Sequence, residues 1–218
     1  MKNTIFLYGR LILTMLISLY TTRVVLNALG VVDFGIYNVV CGFVAMFSFL
    51  NTTMSNGIQR FYNYEAGKNG IESVAKIYQT AILIQLLLVL LILLVIEPLG
   101  IWYINNKMVI PVSRLFAANW VFQCSLLSLV FLVMQVPFSA AVIAHEKMDY
   151  YATVGILDAI LKLGIVLILP YLGGDSLIIY GLLIFSVSVV NLVVIFGICS
   201  QKLQGVETGK NISQELVL

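Results

Sequence analysis

Asp158 and Lys162 stand four residues apart in a stretch, 150–172, that is otherwise apolar. On a helix that spacing places both on one face, with the acid on the N-terminal side, the favourable order for an intrahelical ion pair. Two readings stand: mutual neutralisation, or an interior cavity in which Lys162 binds an anion and Asp158 carries protons. Other polar residues recur at helical steps. Arg10, Thr14, Ser18 and Thr21 follow at i, i+4, i+8 and i+11 and form one stripe, whereas Arg23 shares a different face with Tyr20 and Asn27. Asn51, Ser55 and Gln59 make a second stripe, with Asn56 and Arg60 beside it. Asn119 pairs by spacing with Gln123, and Gln135 with Ser139, around a proline at 137 that predicts a kink. Amides and hydroxyls in such rows either line a route for a polar solute or serve as hydrogen-bonding contacts between helices. Arg10 and Arg23 either reach out to an interface with their long stems or face a bound anion.

Covalent chemistry has no matching constellation. The lone histidine, His145, stands beside Glu146 and Lys147 in "AHEKMD", and no second histidine completes a metal site. A nucleophile elbow, an acidic pair and a phosphate-binding glycine loop are all missing from the sequence. Cys41, Cys124 and Cys199 lie in apolar stretches without CxxC spacing and read as small packing residues. The expectation is a protein that is not an enzyme and uses no cofactor and no metal.

The elements that must position these residues follow from composition. Hydrophobic residues make up 61% of 218 positions and charged ones 10%, with a mean hydropathy of +1.04. A soluble core cannot hide that much apolar surface. The net charge of +2 is small and the 12 basic residues form no cluster, which argues against nucleic acid as a partner. A helix needs about 20 apolar residues to cross a hydrocarbon core of about 30 Å. Residues 34–59, 77–96, 115–144 and 176–201 are free of Lys, Arg, Asp and Glu. Stretches 4–29 and 150–172 carry internal charges but are otherwise apolar and long enough. The fold class expected is therefore all-α, a polytopic membrane bundle of about six transmembrane helices. Their approximate spans are 4–29, 34–60, 74–97, 113–144, 150–172 and 176–200, with a short polar tail over 202–218.

Charge in the connectors sets the expected orientation. Lys2, Arg60, Lys68, Lys76, Lys147, Lys202 and Lys210 fall on one side, and Lys107 and Arg114 on the other. The positive-inside rule then puts both termini in the cytoplasm. Trp102, Tyr103 and Trp120 fit either an aromatic belt at the outer interface or ordinary helix packing. Lys2 followed at once by apolar residues resembles a secretory signal. Arg10 and Arg23 within the stretch, and no small-residue cleavage site, read instead as an uncleaved first helix.

Three segments, "TTRVVLNALGVVDFGIYNVV", "MSNGIQRF" and "QVPFSAAVIAHEKMDYYA", taken in order and with their placement on the helices, resemble the polysaccharide flippases. These form the Wzx-type branch of the multidrug/oligosaccharidyl-lipid/polysaccharide exporter superfamily, and the likeness runs from about Lys2 to Gln201. The family builds two six-helix lobes around a central cavity, so the resemblance implies an N-terminal lobe alone, a truncated half. It implies translocation of a lipid-linked oligosaccharide, a polyprenyl pyrophosphate sugar, across the bacterial inner (plasma) membrane for lipopolysaccharide (O-antigen), capsule or exopolysaccharide biosynthesis. A second lobe, by self-association or from another chain, and membrane lipid are the implied partners. Cavity candidates on this reading are Arg10, Arg23, Asn51, Gln59, Arg60, Gln135 and Lys162, the cations suiting the pyrophosphate, with Asp158 as a possible site of ion coupling.

Two alternatives stay open. A multidrug or cation antiporter of the same superfamily would use an acid within the membrane, and Asp158 is the only acid deep in a span. A lobe without transport of its own, acting as an interaction or remnant protein, is the other.

Overall fold

The computed structural model describes residues 2–69, 74–144 and 148–202, with side chains described over 8–9, 11–65, 67–68, 79–143 and 152–199. Among the described residues the chain is helical with no strand. Seven α-helices follow one another: α1 Lys2–Ala45, α2 Ser48–Asn69, α3 Val74–Asn106, α4 Leu115–Met134, α5 Val136–Ala144, α6 Met148–Ile168 and α7 Ser176–Lys202. Five helical runs are long and apolar enough to cross a membrane. This is an all-α membrane bundle, as composition and hydropathy predict.

The first of those runs, Leu11–Glu65, has 55 residues, about 80 Å if straight and far more than one crossing of a bilayer takes. Gly30 divides it. At φ 79 and ψ 167 its backbone leaves the helix, in a region that only glycine enters without strain. The limb before Gly30 ends in Val25 and Leu29, which share a buried cluster with Val166 of α6 and Leu169 just beyond it. The limb after it lies beside α4 and α7: Tyr37 meets Tyr180 at 4.8 Å between ring centres, and Cys41 Sγ lies 3.1 Å from Ser125 Oγ.

Two crossings are broken midway. The second limb of α1 stops at Ala45, and a tight turn over Met46 and Phe47 leads into α2; the Phe47 N–H donates to the Val44 carbonyl at 3.0 Å, a three-residue closure rather than the helical four. In the same layer α4 gives way to α5 at Gln135, two residues before Pro137. A proline has no N–H to give the carbonyl four residues back, so the ladder loosens there. The run 112–143 thus bends at Gln135, whose N–H still donates to the Phe131 carbonyl at 3.0 Å, and the stretch 34–60 divides between the second limb of α1 and α2.

Elsewhere α3 runs on through Pro98 to Asn106, where the sequence pattern predicts a connector. The extension packs closely: a Cβ on Gly100 would overlap Cζ, Cε1 and Cε2 of Phe122 on α4. Phe122 is wholly buried and meets Phe43, whose ring stacks on Tyr103 at 5.3 Å. The glycine lets α3 and α4 approach. His145, Glu146 and Lys147 of "AHEKMD" and nearly all of the tail over 202–218 lie outside the described residues, while Ala144 ends α5 and Met148 opens α6.

Candidate functional site

Where these two crossings meet, the bundle forms a half-open cavity of about 670 Å³. The end of α1 and the first half of α2 form one wall, through Tyr37, Cys41, Ser48, Asn51, Thr52, Ser55, Asn56 and Gln59. The helices α4 and α5 form the second, through Ser125, Ser128, Gln135 and Ser139. Gly155, Asp158 and Lys162 of α6 and Gly181, Ser188 and Asn191 of α7 close the third. Backbone breaks in membrane helices are tolerated where the chain lines a cavity or is buried in protein. Both breaks here have residues on the wall: Ala45 and Ser48 at one, Gln135 and Val136 at the other.

The lining mixes neutral polar side chains with apolar ones, among them Val44, Leu129, Leu132, Ile184 and Ile195. Hydroxyls and amides donate and accept hydrogen bonds without carrying charge. Gln59 Nε2 donates to Ser55 Oγ at 3.0 Å, a bond within α2, so these two side chains hold the row in shape rather than fasten α2 to a neighbour. Asp158 and Lys162 are the charged side chains on the wall among the described residues. Lys162 Nζ donates to Asp158 Oδ2 at 2.8 Å, and Asn191 Nδ2 donates to Asp158 Oδ1 at 2.7 Å. The carboxylate therefore bridges α6 and α7, and the intrahelical pair that the i, i+4 spacing predicts is one arm of a three-residue group. Asn191 is 9% exposed, and its Oδ1 is buried with no partner among the described residues.

The structure sorts the sequence candidates. Asn51, Gln59, Gln135, Asp158 and Lys162 come together on the cavity wall. Arg23 and Arg60 are exposed and are not part of it. Arg10 belongs to α1, and its side chain lies outside the described residues. The stripe on the first limb does not reach the cavity either: the Thr14, Ser18 and Thr21 hydroxyls donate to backbone carbonyls of their own helix at 3.1, 2.8 and 2.7 Å. Such back-bonding lets a hydroxyl sit in an apolar setting without another helix.

Residues that periodicity did not single out also belong to the site. Asn191 is one, and its signal in the sequence is that it is the single amide in the apolar run 176–200. Tyr37, Ser125, Ser128 and Ser188 are others; single hydroxyls in apolar helices are too common to mark a site. Among the described residues no group of His, Cys, Asp and Glu is placed to hold a metal ion. No family model, curated protein or solved structure matches the chain.

Proposed function

We propose that this chain is a lobe of a membrane transporter of polysaccharide-flippase type, and that its cavity receives the sugar headgroup of a lipid-linked oligosaccharide. One observation carries the reading: a cavity of about 670 Å³, in which amides and hydroxyls share the wall with apolar side chains, lies where one apolar crossing is interrupted and another is bent. Burying polar side chains at membrane depth is costly unless they meet a partner or a watery space. A sugar offers many hydroxyls that donate and accept, which suits a wall of Asn51, Ser55, Gln59, Gln135 and Ser139. Of the four cations weighed for the pyrophosphate, Lys162 is the one on the wall among the described residues. Half of its role is already taken by Asp158. The headgroup's hydroxyls, rather than its phosphates, are then the main contact.

Asp158 on the wall favours a second reading, an antiporter for cationic drugs. Sites for such ligands are rich in aromatic and apolar side chains. The apolar wall residues, Leu129, Leu132, Ile184 and Ile195 among them, fit it, but Tyr37 is the one aromatic on this wall among the described residues, which weighs against it. In the orientation that the connector charges support, both termini are cytoplasmic in a bacterial inner membrane and Gln59 lies toward the cytoplasm.

The test is translocation. The full chain in liposomes, with a fluorescent disaccharide on a polyprenyl pyrophosphate in both leaflets, should render the inner-leaflet label reactive to an impermeant quencher. The same lipid without sugar should be neither bound nor moved. Failure of the chain both to bind the sugar lipid and to move it, alone and with a second copy linked to it, refutes the reading.

A further inference from the structure

Beyond Tyr37, at one end of the bundle, a charged cluster joins three elements. Arg114, just before α4, donates from one guanidinium nitrogen to Asp175 Oδ2 at 2.7 Å and from the other to Asp33 Oδ2 at 3.0 Å. Asp33 follows the Gly30 turn of α1, and Asp175 opens α7, its Oδ1 accepting the Leu177 N–H at 3.1 Å. A single side chain thus fastens the ends of three elements whose residues are 61 positions or more apart from it along the chain. One helical turn inward, Tyr37 and Tyr180 close ring on ring. Leu177, Ala117 and Ala118 are buried in the same apolar cluster. Tyr37 is also the cavity residue nearest that end on α1. At the opposite end the wall runs on through Gln59 and Ser139 to Ile143, one residue short of the end of α5.

From this arrangement we infer that Arg114, Asp33 and Asp175 are a releasable clasp, which seals one mouth of the cavity while the other stands open. Two features make it releasable rather than a fixed part of the core. The side chains of Arg114 and Asp175 are 37% and 32% exposed, so water can take over their hydrogen bonds as the clasp opens. Arginine's planar fork serves two carboxylates at once, so loss of one arm weakens the whole closure rather than one contact. Asp33, whose side chain is only 7% exposed, is the anchored arm. The clasp goes beyond the transport reading and does not depend on what the cavity carries.

A thiol reporter tests it in the full chain. Cys41→Ser, Cys124→Ala and Cys199→Ala clear the background, Ser128→Cys places a thiol on the cavity wall, and a separate Arg60→Cys marks the Gln59 side. A charged, impermeant maleimide is then applied to right-side-out and to inverted vesicles. With the clasp intact, Ser128→Cys should react from the Gln59 side alone. With Arg114→Ala it should react from both sides, the clasp-side rate rising from background to that of the open side. Arg114→Lys should fall between, since a single ammonium cannot reproduce the fork. If Arg114→Ala is not recovered in membranes, Asp33→Asn, which removes one arm, should give the same two-sided reaction. Labelling that stays one-sided in every recovered variant, whatever their stability, overturns the clasp. Labelling from both sides, or from neither, with the clasp intact overturns it as well.

Discussion

Replacing Asp158 with alanine separates the two bonds that meet on its carboxylate, and the structure ranks them. The arm to Lys162 is an i, i+4 pair whose side chains are 43% and 31% exposed. A pair so open is worth about 0.3–0.5 kcal/mol. The arm to Asn191 joins a charged oxygen to an amide that is 9% exposed, at 2.7 Å. A hydrogen bond to a charged group contributes about 1.5–3 kcal/mol, and here its loss also strands a buried donor. Asp158→Ala should therefore cost about 2–3 kcal/mol in all, most of it through Asn191. For a chain of this length that is a fall in Tm of roughly 4–12 °C. The assay is thermal unfolding of the purified chain in detergent or nanodiscs, read by loss of the monodisperse peak, for Asp158→Ala, Asn191→Ala, Lys162→Ala and the two double variants. The double-mutant cycle with Asn191 should return a coupling of about 1.5–3 kcal/mol and the cycle with Lys162 less than about 0.5 kcal/mol. A Lys162 coupling equal to or above that of Asn191 would refute the ranking. So would an Asn191→Ala variant as stable as the parent.

Gly100→Ala drives a methyl into the Phe122 ring and should cost about 1–3 kcal/mol; adding Phe122→Leu should recover part of it, whereas an unshifted Tm for Gly100→Ala would show that α3 and α4 do not approach as described. Gly30→Ala and Gly30→Asn must both hold φ 79 and ψ 167 with a Cβ, each at about 1–3 kcal/mol; since nothing lies within 4 Å of that Cβ, the loss is conformational, and either variant melting with the parent would contradict it. Arg23→Ala and Arg60→Ala, exposed and off the cavity wall, should leave binding of a polyprenyl pyrophosphate sugar unchanged; a drop in affinity at unchanged abundance would return either arginine to the site.

The all-α membrane architecture was legible in the sequence because apolar runs of crossing length are a property of single segments, read without knowing their neighbours. The row Asn51, Ser55, Gln59 was legible for the same reason: a period of four on one helix is local. The breaks inside two crossings were less so. Pro137 announced the one at Gln135, but the turn at Met46 and Phe47 has no proline and no glycine within it, and tertiary packing decides where that helix gives way. Arg23 and Arg60 stood out as charges in apolar surroundings, yet the helix rotates both away from the cavity, an angle that neighbours fix. The bond from Asp158 to Asn191 spans 33 residues, and the fork of Arg114 reaches acids that the sequence leaves in separate connectors. Pairings of that range belong to the fold and not to any window of it.

The most direct measurement is binding of a sugar-bearing lipid to the cavity wall. The full chain in nanodiscs is titrated with a fluorescent disaccharide on a polyprenyl pyrophosphate and, in parallel, with the same pyrophosphate lipid lacking sugar. Asn51→Leu and Gln135→Leu replace wall amides with apolar groups of similar size. The account predicts saturable binding of the sugar lipid, tighter than that of the sugar-free lipid, and a loss of at least about tenfold (about 1.4 kcal/mol) with each leucine variant at unchanged abundance. Equal affinity for the two lipids, unaffected by either leucine, would contradict a cavity that recognises sugar.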